Sequence, residues 1–207
     1  MIDLGFYTVV ASLVICGYGF IASGWGVKTG NQTLIKSAEN SVFANLFLLI
    51  IASCALIYLF LADEFTVEYV AGYSSIDMPT RFKFTAFWGG QKGSLLLWAL
   101  ILASFSAIAV FQNRRENREL MPFATFTLLG TMLFFALVLN FAANPFETLD
   151  FKPADGRGLN PLLQNWYMII HPPTLFLGYV GLAVPFAFGM GALMSGKIDN
   201  SWLRVTR

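Results

Sequence analysis

The stretch VFANLFLLIIASCALIYLFLA, residues 42–62, decides the fold. It holds no Asp, Glu, Lys or Arg, and its length matches the roughly 20 apolar residues that a helix needs to cross a hydrocarbon core. In lipid every backbone polar group must pair within its own segment, and no run here shows the alternation of a barrel strand, so the reading is helical. Four further runs qualify or nearly so: 4–24, 94–111, 123–143 and 174–194. The run 94–111 is the shortest, with a largely apolar flank before it. The prediction is an all-α integral membrane protein with about five transmembrane helices, forming a single membrane domain over residues 1–207.

Composition agrees. Charged residues make up 12% of the chain, against about 25% in ordinary soluble domains. The net charge of +1 offers no basic face for nucleic acid. No charged residue lies inside the five cores, which argues against a proton- or ion-coupled machine. Asn45 and Asn140, the notable polar groups in the spans, read as interhelical glue. Cys16 and Cys54 form no C-x-x-C pair and read as small buried hydrophobes. The start, MIDLGFYTVV, lacks a basic n-region and a cleavage site and is expected to be a retained first span.

Orientation follows from Lys and Arg. The loops 25–41 and 112–122 and the tail 195–207 carry Lys28, Lys36, Arg114, Arg115, Arg118, Lys197, Arg204 and Arg207. The opposite loops, about 63–93 and 144–173, carry Arg81, Lys83, Lys92, Lys152 and Arg157 over greater length. The expectation is an outer N-terminus, two outer loops and an inner C-terminus. Trp25 and Trp202 then fall at the inner interface, and Trp88 and Trp166 at the outer one. The TVEYV stretch of the first outer loop alternates like a short strand.

The second outer loop holds the chain's single histidine, in NPLLQNWYMIIHPPTLFLGY, residues 160–179. Asn160-Pro161 is a helix start, and apolar residues then recur at helical spacing to Ile170. Too short to span, this piece is predicted to lie flat as a short interfacial helix. A residue before proline is pushed out of helical geometry, so His171 is expected at a break, at the lipid–water boundary. An imidazole there suits three roles: an axial ligand of haem iron, with Lys152 and Arg157 near the propionates; an interfacial proton acceptor; or a cap on the fifth span. A second motif, WGGQKGS at 88–94, reads either as a tight turn at an aromatic belt or as a place where a flat cofactor or substrate segment lies on Trp88. It fails as a phosphate loop because the glycine order is wrong.

WGGQKGSLLLWALIL and NPLLQNWYMIIHPPTLFLGYVGLAVPFAFGMGALMSGKI resemble the N-terminal part of the CcmF family, the cytochrome c haem lyases of the cytochrome c maturation system. The resemblance runs through essentially the whole chain; its specific marks are W-G-G-x-x-G-S before the third span and N-P-L-L-Q with H-P-P before the fifth. Lys92 stands where an acidic residue is often expected. The resemblance implies a multi-span protein of a bacterial or organellar inner membrane. Such a protein takes haem b from a haem chaperone and joins its vinyl groups to the Cys-x-x-Cys-His motif of apocytochrome c outside the membrane. It implies that His171 is an external haem-iron ligand; Trp88, Trp166, Arg157 and Lys152 are read from their positions as candidate haem contacts. The family's Trp-rich segment, second external histidine and embedded histidine pair are absent from this sequence. The chain is therefore expected to be a fragment or a split-gene product, incomplete as a lyase by itself and working with the remainder or with other maturation subunits. Two other functions stay open: a haem- or quinone-associated transport subunit, and an assembly scaffold packing through Gly178, Gly181, Gly189 and Gly191.

Overall fold

The computed structural model describes residues 1–115 and 117–196. Five helical stretches are long and apolar enough to cross a membrane. Four are the single helices α1 (Ile2–Thr29), α2 (Gln32–Leu61), α5 (Gln91–Asn113) and α6 (Met121–Phe141). The fifth stretch, Ile169–Ser195, is divided between α7 (Trp166–Gly181) and α8 (Ala183–Ser195). The short helices α3 (Glu68–Tyr73) and α4 (Thr80–Thr85) lie between α2 and α5. This is an all-α integral membrane protein with several spans.

The helices run further than their apolar cores. The expected loop 25–41 shrinks to a turn: Gly30 adopts a left-handed φ of 68°, and the Asn31 side chain caps α2 by accepting from the amides of Thr33 and Leu34. Lys28 and Lys36 thus ride on helix ends, Lys28 above the exposed ring of Trp25. Helix α5 likewise begins at Gln91 and not at Ser94.

Both span asparagines bind helices together. Asn45 on α2 accepts from Ser12 on α1 at 2.5 Å, and Asn140 on α6 donates to the Val9 carbonyl of α1 at 3.1 Å. Ser23 near the end of α1 donates to the Pro122 carbonyl at the start of α6. Small residues permit these approaches: the ring of Phe146 fills the place of a Cβ on Gly5, and Ser41 that of one on Gly19. Cys16 is buried as expected, but Cys54 is exposed on α2. The span pattern fixes which stretch is apolar, and not which face turns outward.

Two expectations about the H-P-P region are corrected. The short helix over 160–170 does not stand alone: a single 3-10 turn covers Pro161–Leu163, and α7 then starts at Trp166. Nor is there a break at His171, because α7 passes through His171, Pro172 and Pro173. The two prolines leave the carbonyls of Met168 and Ile169, in the first turn of α7, without their usual donors, at the end of the helix nearest the cap. The interruption comes at Leu182 instead. Pro185 can give no N–H to Gly181, and the chain resumes with Leu182 N–H on the Tyr179 carbonyl and Phe186 N–H on the Leu182 carbonyl.

The segments 63–90 and 142–165 form a joint cap at one end of the bundle. Glu68 N–H donates to the Glu147 carbonyl and Leu149 N–H to the Thr66 carbonyl, around an antiparallel bridge between Val67 and Thr148. The alternation of TVEYV is realised as this one bridge, after which the chain turns into α3. The tail beyond Gly196, with Lys197, Trp202, Arg204 and Arg207, lies outside the described residues.

Candidate functional site in the cap

The cap is fixed by side chains that reach between distant segments. Lys83 on α4 is buried and places its ammonium 2.6 and 2.5 Å from the two oxygens of Asp63, just after α2. The buried Tyr69 hydroxyl accepts from Gly90 N–H at 3.0 Å. Its own proton is shared among the carbonyls of Gly90, Phe87 and Ala86, at 3.1, 3.2 and 3.3 Å. Burial raises the Tyr69 pKa above its ordinary value, so the phenol stays neutral.

These contacts hold the WGGQKGS motif in a tight turn. A Cβ on Gly90 would meet the Tyr73 ring, and one on Gly93 would meet the Phe87 carbonyl and Tyr69. On Gly89 it would come 2.8 Å from the tip of Leu159, the residue just before Asn160-Pro161. The two sequence motifs therefore touch through Gly89 and Leu159. The close approach that the glycines allow is taken up by the protein's own side chains. Ser94 closes the turn by donating to the Trp88 carbonyl at 2.9 Å.

Lys92, at the start of α5, bridges Glu68 of α3, at 2.5 Å, and Glu147 of the second segment. Lys152 pairs with Glu64 at 2.9 Å. The Glu64 carboxyl titrates below its ordinary value, first because Thr66 donates its hydroxyl to it and then because of Lys152. Between these contacts lies an open cleft of about 680 Å³. Its walls include Tyr73, Phe151, Lys92, Asp155 and Arg157, with Gly72 in its floor.

His171 is exposed and sits outside the lining of that cleft. It lies one turn after Tyr167 and one before Thr174 on α7, both exposed, with Trp166 and Ile170 exposed nearby. Thr174 donates its hydroxyl back to the carbonyls of Ile170 and His171. This arrangement suits a flat apolar ligand: an accessible imidazole as iron donor, with aromatic and aliphatic surface around it. Among the described residues no three His, Cys, Asp or Glu side chains converge on a metal-binding group.

Residues 88–206 match the family model described as cytochrome C assembly protein. The chain belongs to that family. Among curated relatives, the cytochrome c-type biogenesis protein CcmF of Haemophilus influenzae is 38% identical over 99% of this chain and 32% of its own length. CcmF of Escherichia coli is 37% identical over 88% of the chain and 28% of its own length. A solved structure of the cytochrome c heme lyase CcmF superposes with a TM-score of 0.82 at 25% identity, covering 99% of this chain and 32% of that one. The chain thus spans about a third of the length of the relatives it matches.

The residues expected to contact haem are not gathered into one pocket. Arg157 lines the cleft, whereas Lys152, Trp88, Trp166 and His171 are absent from its lining. Lys152 is engaged by Glu64. Trp88 is half-buried and meets Phe84 edge-on at 5.7 Å, while its buried indole N–H finds no acceptor among the described residues. Trp166 is 69% exposed on the same helix as His171. Sequence reasoning missed Tyr69, Gly72 and the double bridge of Lys92. Their partners lie many residues away, and no local spacing announces them.

Proposed function

We propose that this chain is one part of a cytochrome c haem lyase and presents haem b, as substrate, to apocytochrome c at the outer membrane face. The observation that carries the reading is the placement of the chain's single imidazole. His171 is exposed at the cap end of the least buried span, among aromatic side chains, in a chain of the assembly-protein family. A neutral imidazole donates one ring nitrogen to iron, and the exposed Tyr167, one turn back on the same face of α7, is the side chain best placed to flank the porphyrin. The apocytochrome thiols add across the vinyl groups, each S–H supplying sulfur to one vinyl carbon and hydrogen to the other. The protein's share is positioning.

The cap end is outward in this reading, and the end bearing Lys28, Lys36, Arg114, Arg115 and Arg118 is inward. The second axial ligand comes from the rest of a longer protein or from a partner subunit, since this chain has no further histidine. Gly178 and Gly181 on α7 have open space where a Cβ would stand, which supports close packing of further helices there. Haem reaches this face from a haem chaperone.

The test is His171→Ala in the assembled complex, read by the haem absorption spectrum and the yield of holocytochrome c. The expected result is loss of stable haem capture with the membrane fold intact, because an exposed imidazole adds little to packing. Unchanged haem content and yield would reduce His171 to a residue of the fifth span.

A further inference from the structure

The cap cleft has no part in that reading. We propose that it binds an extended segment of apocytochrome c through a carboxylate that pairs with Arg157. The naming of this partner rests on the haem-lyase reading; the chemistry of the cleft does not.

The backbone at Arg157 is firmly held. Its N–H donates to the Ala71 carbonyl at 2.8 Å, and the next N–H, of Gly158, donates to the Ser74 carbonyl at 2.9 Å. Gly158 has a φ of 76°, and Gly156 lies against the carbonyls of Ser74 and Ala71, an approach that a side chain would block. Asp155 fastens the same turn, one carboxylate oxygen accepting from Ile76 N–H at 2.9 Å and Gly156 N–H at 2.7 Å. The backbone around Arg157 is therefore fixed before any ligand arrives. Among the described residues its guanidinium makes no ion pair. A guanidinium on so firmly held a backbone matches a carboxylate in two parallel hydrogen bonds.

The rest of the cleft suits polypeptide better than a porphyrin. Lys92 on its wall is already neutralised by Glu68 and Glu147, so Arg157 is the cation left to recognise an anion. Phe151, 68% exposed, stands with Tyr73 as an aromatic wall for apolar side chains, the kind of anchor that peptide interfaces use. No His, Cys or Met lines the cleft, so iron finds neither an imidazole nor a sulfur donor there. A volume of about 680 Å³ falls within the range of about 300–1,000 Å³ typical of ligand sites. Gly72 leaves open space above its Cα, so the floor of the cleft is kept clear at a position where a side chain would meet nothing of the protein.

That last feature supplies a clean variant. Gly72→Leu starts from a Cβ that meets nothing of the protein, brings side-chain bulk to the lining of the cleft, and places a better helix former in α3. The experiment installs p-benzoylphenylalanine in place of Phe151 in the membrane-embedded protein. An apocytochrome c whose two haem-binding cysteines are replaced by serine is then co-expressed. Illumination is expected to crosslink the two. Arg157→Gln and Gly72→Leu are each expected to cut the crosslink about tenfold or more, as loss of one charged contact or of the space itself does, with the haem spectrum unchanged. His171→Ala is expected to leave the crosslink and remove the haem, which separates failure of this proposal from failure of the haem reading. Absence of a crosslink in the parent protein, or a crosslink indifferent to both cleft variants, overturns the proposal. So does loss of haem in Arg157→Gln with the crosslink retained, which would assign the guanidinium to a haem propionate.

Discussion

Replacing Asp63 by Asn tests whether the Lys83 ion pair holds the cap to the bundle. The ammonium of Lys83 lies 2.6 and 2.5 Å from the carboxylate oxygens and 3.3 Å from the Ile76 carbonyl. The Lys83 side chain is 9% exposed and that of Asp63 27%. Asn preserves the shape and tolerates the positive φ of 50° at this position, so the substitution removes charge without adding strain. The ammonium is then left nearly buried with one carbonyl and a neutral amide. Loss of one partner from a buried pair costs about 3–5 kcal/mol, and low exposure of the lysine places this variant within that range. Lys83→Met leaves the carboxylate behind instead, which water reaches, so its cost is smaller, about 2 kcal/mol. The double variant is expected to lose less than the sum, by about 2 kcal/mol. Hydrogen exchange of the amides from Thr80 to Trp88, with the protein in detergent, measures the local opening free energy in all four proteins. Asp63→Asn within about 0.5 kcal/mol of the parent, the ordinary scatter of surface changes, would refute the reasoning.

Three further outcomes are expected. Gly93→Ala sets a Cβ against the Phe87 carbonyl and Tyr69 and should lower stability by about 3 kcal/mol, whereas Gly72→Ala, in open space, should be neutral or gain about 0.5 kcal/mol; thermal unfolding in one detergent compares them. Asn45→Leu removes the bond to Ser12 and should cost about 1 kcal/mol, the scale of interhelical hydrogen bonds in membranes, with Ser12→Ala on top of it adding little. The lowered pKa of Glu64 means that its contribution is complete above its ordinary value and disappears as pH falls through the lower native value. Glu64→Gln should therefore weaken the cap at pH 7 and make no difference once the pH lies below that native value. A pH titration of the same exchange rates checks this sign.

The spans were legible in the sequence because lipid imposes one demand, some twenty residues without charge, and residues 42–62 meet it locally. Asn45 and Asn140 were legible for a related reason: an amide among apolar neighbours needs a partner, and each has one on α1. The cap resisted reading because its bonds are long-range. Lys92 is drawn to Glu68 and Glu147, 24 and 55 residues away, and nothing in the spacing of three charged residues singles out that pairing from others. The cleft follows from those pairings and was hidden with them. Trp88 was flagged for the right motif, yet the glycines beside it serve Tyr69, Tyr73 and Leu159.

The prolines show how a sound local rule depends on where a helix begins. Pro172 and Pro173 read as a break because each disfavours helix before it, but α7 has already started at Trp166. The carbonyls they leave without donors belong to Met168 and Ile169, in its first turn. Pro185 has the same chemistry within the fifth apolar stretch, where it leaves the Gly181 carbonyl without its usual donor, and there the helix does break, at Leu182. The consequence falls on His171. As a hinge residue its imidazole would have taken its direction from a loop. As a helical residue it shares a face with Tyr167 and Thr174, and its orientation is set by α7. A ligand that seizes this imidazole from the exposed side therefore has to lie along the helix, against Tyr167 and Thr174. If haem is that ligand, Tyr167→Ala should weaken haem retention without touching the iron ligand, and the loss should appear as faster haem release with an unaltered absorption maximum. A shifted maximum would mean that Tyr167 acts on the iron's coordination and not on the porphyrin plane, and the helical placement of His171 would no longer explain the site.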